Sequence, residues 1–374
     1  MKICILSMQR VQNFGSVLQS FALKQMLERL GHQVSFLDIE PRPEDDCLRA
    51  GKIQHFQDTG GKTRFFGKLK KIDKYILNRI NNKRREALQR QKFEAFRRNA
   101  LGMTENTATE QYDCCVIGSD EVFNCMSFSP WGFTSQLFGN VKQTRRVITY
   151  AASCGGTKLD VVPDPVKDRI RQTFEKVAAF SVRDKNTRWF VSQLTEAPIQ
   201  EHLDPAMVFD FHQVMDGTRL SAKLPPRYCV VYSYTNRIGD PEAISRIRAF
   251  CKKHDLKLVT LGSPQMWIRE HLAVSPFEAL KVFQNAQFVI TDTFHGTIFS
   301  AKYAGKFAVM VRPSNENKLQ DLIDKLELNQ HQVSSWAELE TAFAAENDRG
   351  RVEKVAQRER ERTMAYLEQN VQGV

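Results

Sequence analysis

Four short stretches carry residue types suited to chemistry on an anion. TDTFHGT (291–297) sets His295 and Gly296 after an apolar run, QFVIT (287–291), and ahead of a helix-like segment. The dipole at a helix N-terminus disfavours a charged imidazole, so a neutral ring able to exchange a proton is expected at 295. Gly296 would let a ligand approach the backbone. The plainer role for His295 is a helix cap. SVRDKNT (181–187) puts Arg183 just past another apolar run. A guanidinium fork matches phosphate and carboxylate, and its plainer role is a pair with Asp184 or another acid. QRVQNFGSVLQ (9–19) offers Gly15 for backbone angles closed to other residues, Ser16 as a cap and Asn13 facing a cleft. GSDEVFN (118–124) offers Gly118 and Ser119 at a turn and Asp120 in a polar setting.

These stretches must be held by something, and the pattern around them says what. KICILSM, GSVLQSFALKQMLERLG and QVSFLDI read as strand, amphipathic helix and strand, the start of a βαβ unit. YDCCVIGS (112–119), RRVITYAAS (145–153) and AFSVRD (179–184) read as further buried strands. A second series follows at 228–234, 257–262, 287–292 and 307–311, four strand-like runs interleaved with helix candidates. Alternation of this kind predicts an α/β chain of two Rossmann-like αβα domains, their parallel sheets facing a cleft. The expected division is a first domain over 1–205, a connection over 206–226, a second domain over 227–348 and a charged helix over 349–374. In open parallel sheets ligands sit beyond the carboxyl ends of the strands, and the four stretches fall at such ends.

Several chemistries find no motif. GGKT at 60–63 lacks the distal glycine of a P-loop, since Phe56 stands there. No G-x-G-x-x-G follows either domain's first strand, and H-E-x-x-H and G-x-S-x-G are absent. The eight cysteines form no C-x-x-C pair or zinc cluster, so neither a metal nor a bound cofactor is expected, and reduced thiols are. The start, MKICILSM, lacks the form of a signal peptide, and no membrane-spanning run is present, so a cytoplasmic location is expected. Lys62 to Arg98 holds fourteen Lys and Arg against three acids, which accounts for the whole net charge of +11. Apolar residues at 65, 69, 72, 76 and 80 predict a helix there, with a second around 87–99. This segment is either a solvated helix pair or an attachment to an anionic membrane surface, peripheral at its inner face. Nucleic acid is not expected.

Taken in order, NFGSVLQSFALKQMLERLGHQVSFLDI, YDCCVIGSDEVFN, ITYAASCG, FSVRDKNT, LDPAMVFD and TDTFHGTIFSAKYAGKFAVM resemble the polysaccharide pyruvyl transferase family. The resemblance runs from residue 3 to about 327. It implies a fold like the two-domain glycosyltransferases called GT-B. It also implies transfer of pyruvate from phosphoenolpyruvate, as co-substrate, to a sugar of a cell-surface polysaccharide or its lipid-linked precursor, forming a ketal. The family's donor-binding arginine falls on Arg183 and its histidine on His295, the pair expected to be catalytic. Phe294 takes the place whose backbone helps hold the donor, beside Gly296. Some members carry arginine where Thr293 stands, and Lys318 or Arg312 would then supply that contact. Glu121 and Phe123 depart from the family's usual G-S-D-Q-V-W-N, in a loop where Asp120, with Asn13, Gly15 and Ser16, would face the acceptor. The competing functions are a nucleotide-sugar glycosyltransferase in the same cleft and a binding protein without catalysis.

Overall fold

The strand-like runs assemble into two all-parallel sheets. The computed structural model describes residues 1–40, 72–103, 110–126, 133–312 and 315–372. The first sheet contains β1 (Lys2–Leu6), β2 (Gln33–Phe36), β3 (Cys114–Asp120), β4 (Val147–Ala152), β5 (Val177–Val182) and β6 (Ile199–Glu201), in the order β2-β1-β3-β4-β5-β6. The second contains β7 (Tyr228–Tyr232), β8 (Lys257–Leu261), β9 (Glu270–Leu272), β10 (Phe288–Thr291), β11 (Phe307–Met310) and β12 (Gln332–Val333), in the order β12-β11-β10-β7-β8-β9. Every residue of β3, β4, β7, β10 and β11 is buried, as strands covered by helices on both faces require. The expected two Rossmann-like αβα halves are thus present. The second sheet has six strands rather than four, because β9 and β12 are too short to carry a period.

Crossovers are made by α1 (Phe14–Arg29), α2 (Ile72–Phe96), α3 (Asp164–Phe174), α4 (Lys185–Ser192), α5 (Pro205–Val208), α6 (His212–Asp216), α7 (Pro241–Lys253), α8 (Pro276–Asn285), α9 (Phe294–Tyr303), α10 (Glu316–Leu326), α11 (Leu339–Ala344) and α12 (Arg349–Gln372). Local chemistry starts several of them. Asp240 and Ser275 cap α7 and α8, each followed by proline, and Glu278 closes a capping box with Ser275. The final helix returns to the first half, where Tyr366 Oη donates to the Thr149 carbonyl at 2.8 Å.

Both sheets grow outward from a central pair, β1 and β3 in the first, β7 and β10 in the second. The loops beyond these pairs are the switch points where such sheets hold ligands. The two halves touch through apolar contacts. Phe21 on α1 meets Phe277 on α8 with ring centroids 5.0 Å apart, and Phe14 stacks on Tyr232 at 6.5 Å.

The basic segment differs from expectation. Its part over 62–71, like the loop expected at 41–61, lies outside the described residues. The rest is one continuous helix, α2, not two, ending in a π-turn at Arg97–Leu101 with Gly102 left-handed at φ 69. Its last turns brace the two halves. Arg97 donates to the carbonyls of Gln9 and Arg10 at 3.0 and 2.7 Å, while Gln89 bonds Val274 and Lys92 pairs with Glu278 at 2.9 Å. These charges are spent on the fold rather than on solvent. Among the described residues no helix is long and apolar enough to cross a membrane. The seven described cysteines are buried and free of disulfides.

Three buried histidines make the fold acid-sensitive. His202 hydrogen-bonds Ser181 Oγ at 2.8 Å, His271 hydrogen-bonds Thr260 Oγ1 at 2.9 Å, and His331 stacks on Phe307 at 3.9 Å. Burial pushes each down from 6.5 to about 4. The unfolded chain therefore takes up protons below 6.5 while the native chain refuses them until about 4, so stability present at neutral pH drains away across that window. The melting temperature is expected to fall by about 10 °C between pH 7.5 and 4.5. Calorimetry across that range, with His202→Gln flattening part of the slope, tests it.

Candidate functional site

The loops beyond β10 and β1 bring His295 against Gly15. Thr293 caps α9, its Oγ1 accepting from the Gly296 amide at 3.1 Å, so His295 is the second residue of the helix and not its cap. The ring crosses to the first half and lies on the backbone of Gly15. A methyl group at 15 would stand 2.0 Å from His295 Cγ. Gly15 has ordinary helical placement in α1, so its role is this close approach rather than unusual backbone angles. Gly296 is also corrected. A side chain there would strike Thr291 Oγ1 at 2.1 Å and the Tyr232 ring at 2.6 Å, so it serves packing within its own half, not ligand approach.

Arg183 follows β5 directly and is almost fully buried. Its Nη1 donates to Asp204 Oδ2 at 2.7 Å, and its guanidinium lies over the Phe294 ring at 4.1 Å. Asp184, the partner sequence suggested, instead caps α4 through the Thr187 amide at 2.8 Å. Asp204 Oδ2 also accepts from Ser119 Oγ at 3.1 Å and stands 3.5 Å from His295 Nε2, long for a hydrogen bond. Burial by itself would raise the Asp204 carboxyl, but His295, Arg183 and the Ala206 amide outweigh it and hold it below the carboxylate range. Burial opposes the charge on Arg183 too, and Asp204, Asp120 and Asp184 more than restore it. Arg183 Nε and His295 Nε2 are buried without a hydrogen-bond partner.

Both groups line one hollow with Asn13, Asp120, Phe294 and Lys318, where the two halves meet. Six of the residues singled out from sequence thus converge. The hollow is small, about 20 Å³, the room of roughly one water. Asn13 caps α1, accepting from the Gly15 and Ser16 amides at 2.8 and 3.4 Å, which is the task expected of Ser16. Ser16 Oγ instead donates to Asp120 Oδ2 at 2.6 Å. Asp120 itself sits at φ 79, a strained conformation for a residue with a side chain. Lys318, from α10 of the second half, pairs with Glu121 of the first across the mouth of the hollow. The facing ammonium holds the Glu121 carboxyl down to about 2. Arg312 does not reach the hollow, because Asp292 takes its Nε at 2.7 Å.

Asp204, Tyr232 and Tyr234 were not foreseen at the site. The signal for Asp204 was present, since an aspartate before proline in LDPAMVFD is a helix-start pattern. Its stretch enters only through the family resemblance, with no side-chain role drawn from it. Among the described residues no group of three or more His, Cys, Asp or Glu is placed to hold a metal ion.

UDP-N-acetylglucosamine 2-epimerase from Rickettsia bellii superposes with a TM-score of 0.48 at 12% identity, over 98% of this chain and 97% of that one. The enzyme of that name from Methanocaldococcus jannaschii gives 0.46 at 10% identity, over 98% and 100%. A calicheamicin glycosyltransferase gives 0.40 at 16% identity, over 98% and 96%. No curated protein sequence matches the chain. The family described as polysaccharide pyruvyl transferase matches residues 13–313, a span that contains every residue of the hollow except Lys318. The chain belongs to the polysaccharide pyruvyl transferase family.

Proposed function

We propose that the hollow binds phosphoenolpyruvate and that the chain transfers its pyruvyl group to two hydroxyls of a sugar as a cyclic ketal, on a cell-surface polysaccharide or its lipid-linked precursor. The observation that carries this reading is the convergence of two buried, unpartnered polar atoms, Arg183 Nε and His295 Nε2, on one hollow between the halves. A small anion with oxygens at both ends completes both groups, and buried polar groups demand completion.

Asp120 and Glu121 balance Arg183 and Lys318 in the closed hollow, so a dianion enters only by displacing a carboxylate. Glu121 is the one that yields. The halves part at the Glu121–Lys318 pair, and the donor's phosphate takes the carboxylate's place on Lys318. The donor's carboxylate then meets Arg183. His295, steadied by Asp204 on one side and Gly15 beneath, gives its proton to the methylene carbon, making the methyl group. A sugar hydroxyl attacks the cationic carbon, phosphate leaves with that hydroxyl's proton, and a second hydroxyl closes the ring and returns its proton to His295. Across the whole sequence two hydroxyl protons are released, one ending on the methyl carbon and the other on phosphate.

Phosphate release from phosphoenolpyruvate, with galactose-, glucose- and mannosamine-containing acceptors free and lipid-linked, tests the reaction. His295→Ala is expected to lower it by about 10²–10⁴-fold. Near-full activity in that variant, or thermal stabilisation by nucleotide sugars and not by phosphoenolpyruvate, would overturn the reading. Whether the basic segment also holds the chain to anionic membranes is answered by sedimentation with anionic liposomes at rising salt.

A further inference from the structure

A second cavity, about 230 Å³, opens beside the hollow and shares Glu121, Tyr234, Thr293, Phe294 and Lys318 with it. Anything held there lies against residues that also line the hollow. We propose that this cavity is the acceptor subsite, that it takes a neutral sugar ring, and that Asp292 Oδ1 accepts a hydrogen bond from one of that ring's hydroxyls. The inference rests on the donor reading above.

Asp292 is the residue that points to a ligand. It follows β10 directly and is fully buried. One carboxylate oxygen, Oδ2, is taken by Arg312 Nε at 2.7 Å, with Arg237 Nε at 3.6 Å. The other, Oδ1, is buried with no hydrogen-bond partner, and Asp292 is one of the residues that line the cavity. A buried acceptor left unmade is costly, and a hydroxyl donor from a ligand completes it. The carboxylate is also held in place from behind. Asn315 Nδ2 donates to the Asp292 carbonyl at 2.6 Å, and Asn315 Oδ1 accepts from the Arg312 amide at 2.9 Å. Asp292 is therefore a positioning residue for the acceptor, and proton transfer stays with the imidazole.

Charge in the cavity selects the ligand class. Among the residues that line the cavity, Lys318 and Arg237 are matched by Glu121 and Asp292, so the lining carries no net charge to call for a second anion. What remains is a polar wall with aromatic faces. Tyr234, 48% exposed, has the Arg237 guanidinium over one face of its ring, 5.3 Å from the centroid, which leaves the other face for a ligand. A neutral polyol with apolar C–H faces and several hydroxyls fits that wall, as a hexose does.

The test separates acceptor from donor. Asp292→Ala leaves Arg312, 29% exposed, water to turn to, so the fold is kept. With methyl β-D-galactopyranoside, methyl glucoside and methyl N-acetylmannosaminide as probes, this variant is expected to raise the acceptor KM about tenfold, with kcat and the phosphoenolpyruvate KM within twofold of the parent. Asp292→Asn, which keeps an acceptor oxygen, recovers part of the loss, and Tyr234→Ala independently weakens saturation transfer from protein to sugar in NMR. Acceptor and donor constants moving together, unchanged acceptor binding in Asp292→Ala, or no saturation transfer to any probe in the parent protein overturns the subsite. If phosphoenolpyruvate fails to bind while the sugars bind through Asp292, the donor reading falls and the subsite stands.

Discussion

Gly15→Ala is expected to lower pyruvyl transfer by at least about 100-fold while leaving a folded, soluble protein. The added methyl would lie 2.0, 2.1 and 2.5 Å from Cγ, Nδ1 and Cβ of His295. No rotation of the alanine relieves this, since a Cβ is fixed by the backbone. The ring must swing away or the two halves must part. Either shift misplaces the imidazole by about an ångström or more, and a displacement of that size can lose about 10²-fold in rate. Stability responds less. Overpacking costs about 1–3 kcal/mol, and alanine recovers about 0.5–1 kcal/mol over glycine within a helix. Steady-state kinetics beside urea unfolding separates the two effects. Wild-type turnover in this variant would mean that the imidazole does not need the position seen in the structure.

That residue also marks where sequence reasoning stops. The alternation of apolar runs with helical periods in 1–40 and 228–328 made the two parallel sheets legible, because both patterns repeat long enough to be recognised. Placement at strand ends then singled out Arg183, His295, Asn13 and Asp120, the family resemblance added Phe294 and Lys318, and these share one hollow. A glycine kept for close approach, however, looks in sequence like one kept for a turn. Gly15 proved to be the former, and at Gly296 the close neighbours are Thr291, Thr293 and Tyr232 of the chain itself. The edge strands β9 and β12 have three and two residues, too few for any period. Ion pairs between residues distant in sequence were the other blind spot. Asp204 with Arg183, Glu121 with Lys318 and Asp292 with Arg312 join residues 21, 197 and 20 positions apart, and only the folded chain chooses among the acids available.

The closed hollow gives those pairings a common meaning. Each site cation already holds a carboxylate, so the protein is prepared for an anion without carrying bare buried charge. The two pairs differ in what they release. Glu121 is partly exposed and spans the halves, so opening them frees Lys318 to water. Asp204 is fully buried and cannot leave, so in the proposed reaction Arg183 serves the donor with its remaining face while Nη1 stays on the carboxylate.

Arg183→Met is therefore expected to abolish transfer and to destabilise the protein by about 3–5 kcal/mol, because it strands a buried carboxylate whose guanidinium partner, 2.7 Å away, has gone. The side chains of this pair are 2% and 0% exposed, so water cannot replace the guanidinium. Adding Asp204→Asn should return most of the lost stability. Asparagine keeps the cap on the Ala206 amide, now 2.9 Å from Asp204 Oδ1, and removes the unpaired charge. Transfer should stay absent in the double variant, since the fork aimed at the donor is still missing. Arg183→Lys makes the converse point. It keeps a positive charge for Asp204 but loses the planar fork and its stacking on Phe294, so stability should recover further than activity, which stays down by at least about 100-fold. Urea unfolding of the three proteins, with phosphoenolpyruvate titrated into each by calorimetry, distinguishes the roles. Restored stability accompanied by restored transfer in Arg183→Met/Asp204→Asn would show that Arg183 only holds the fold together, and the donor would then have to be gripped elsewhere.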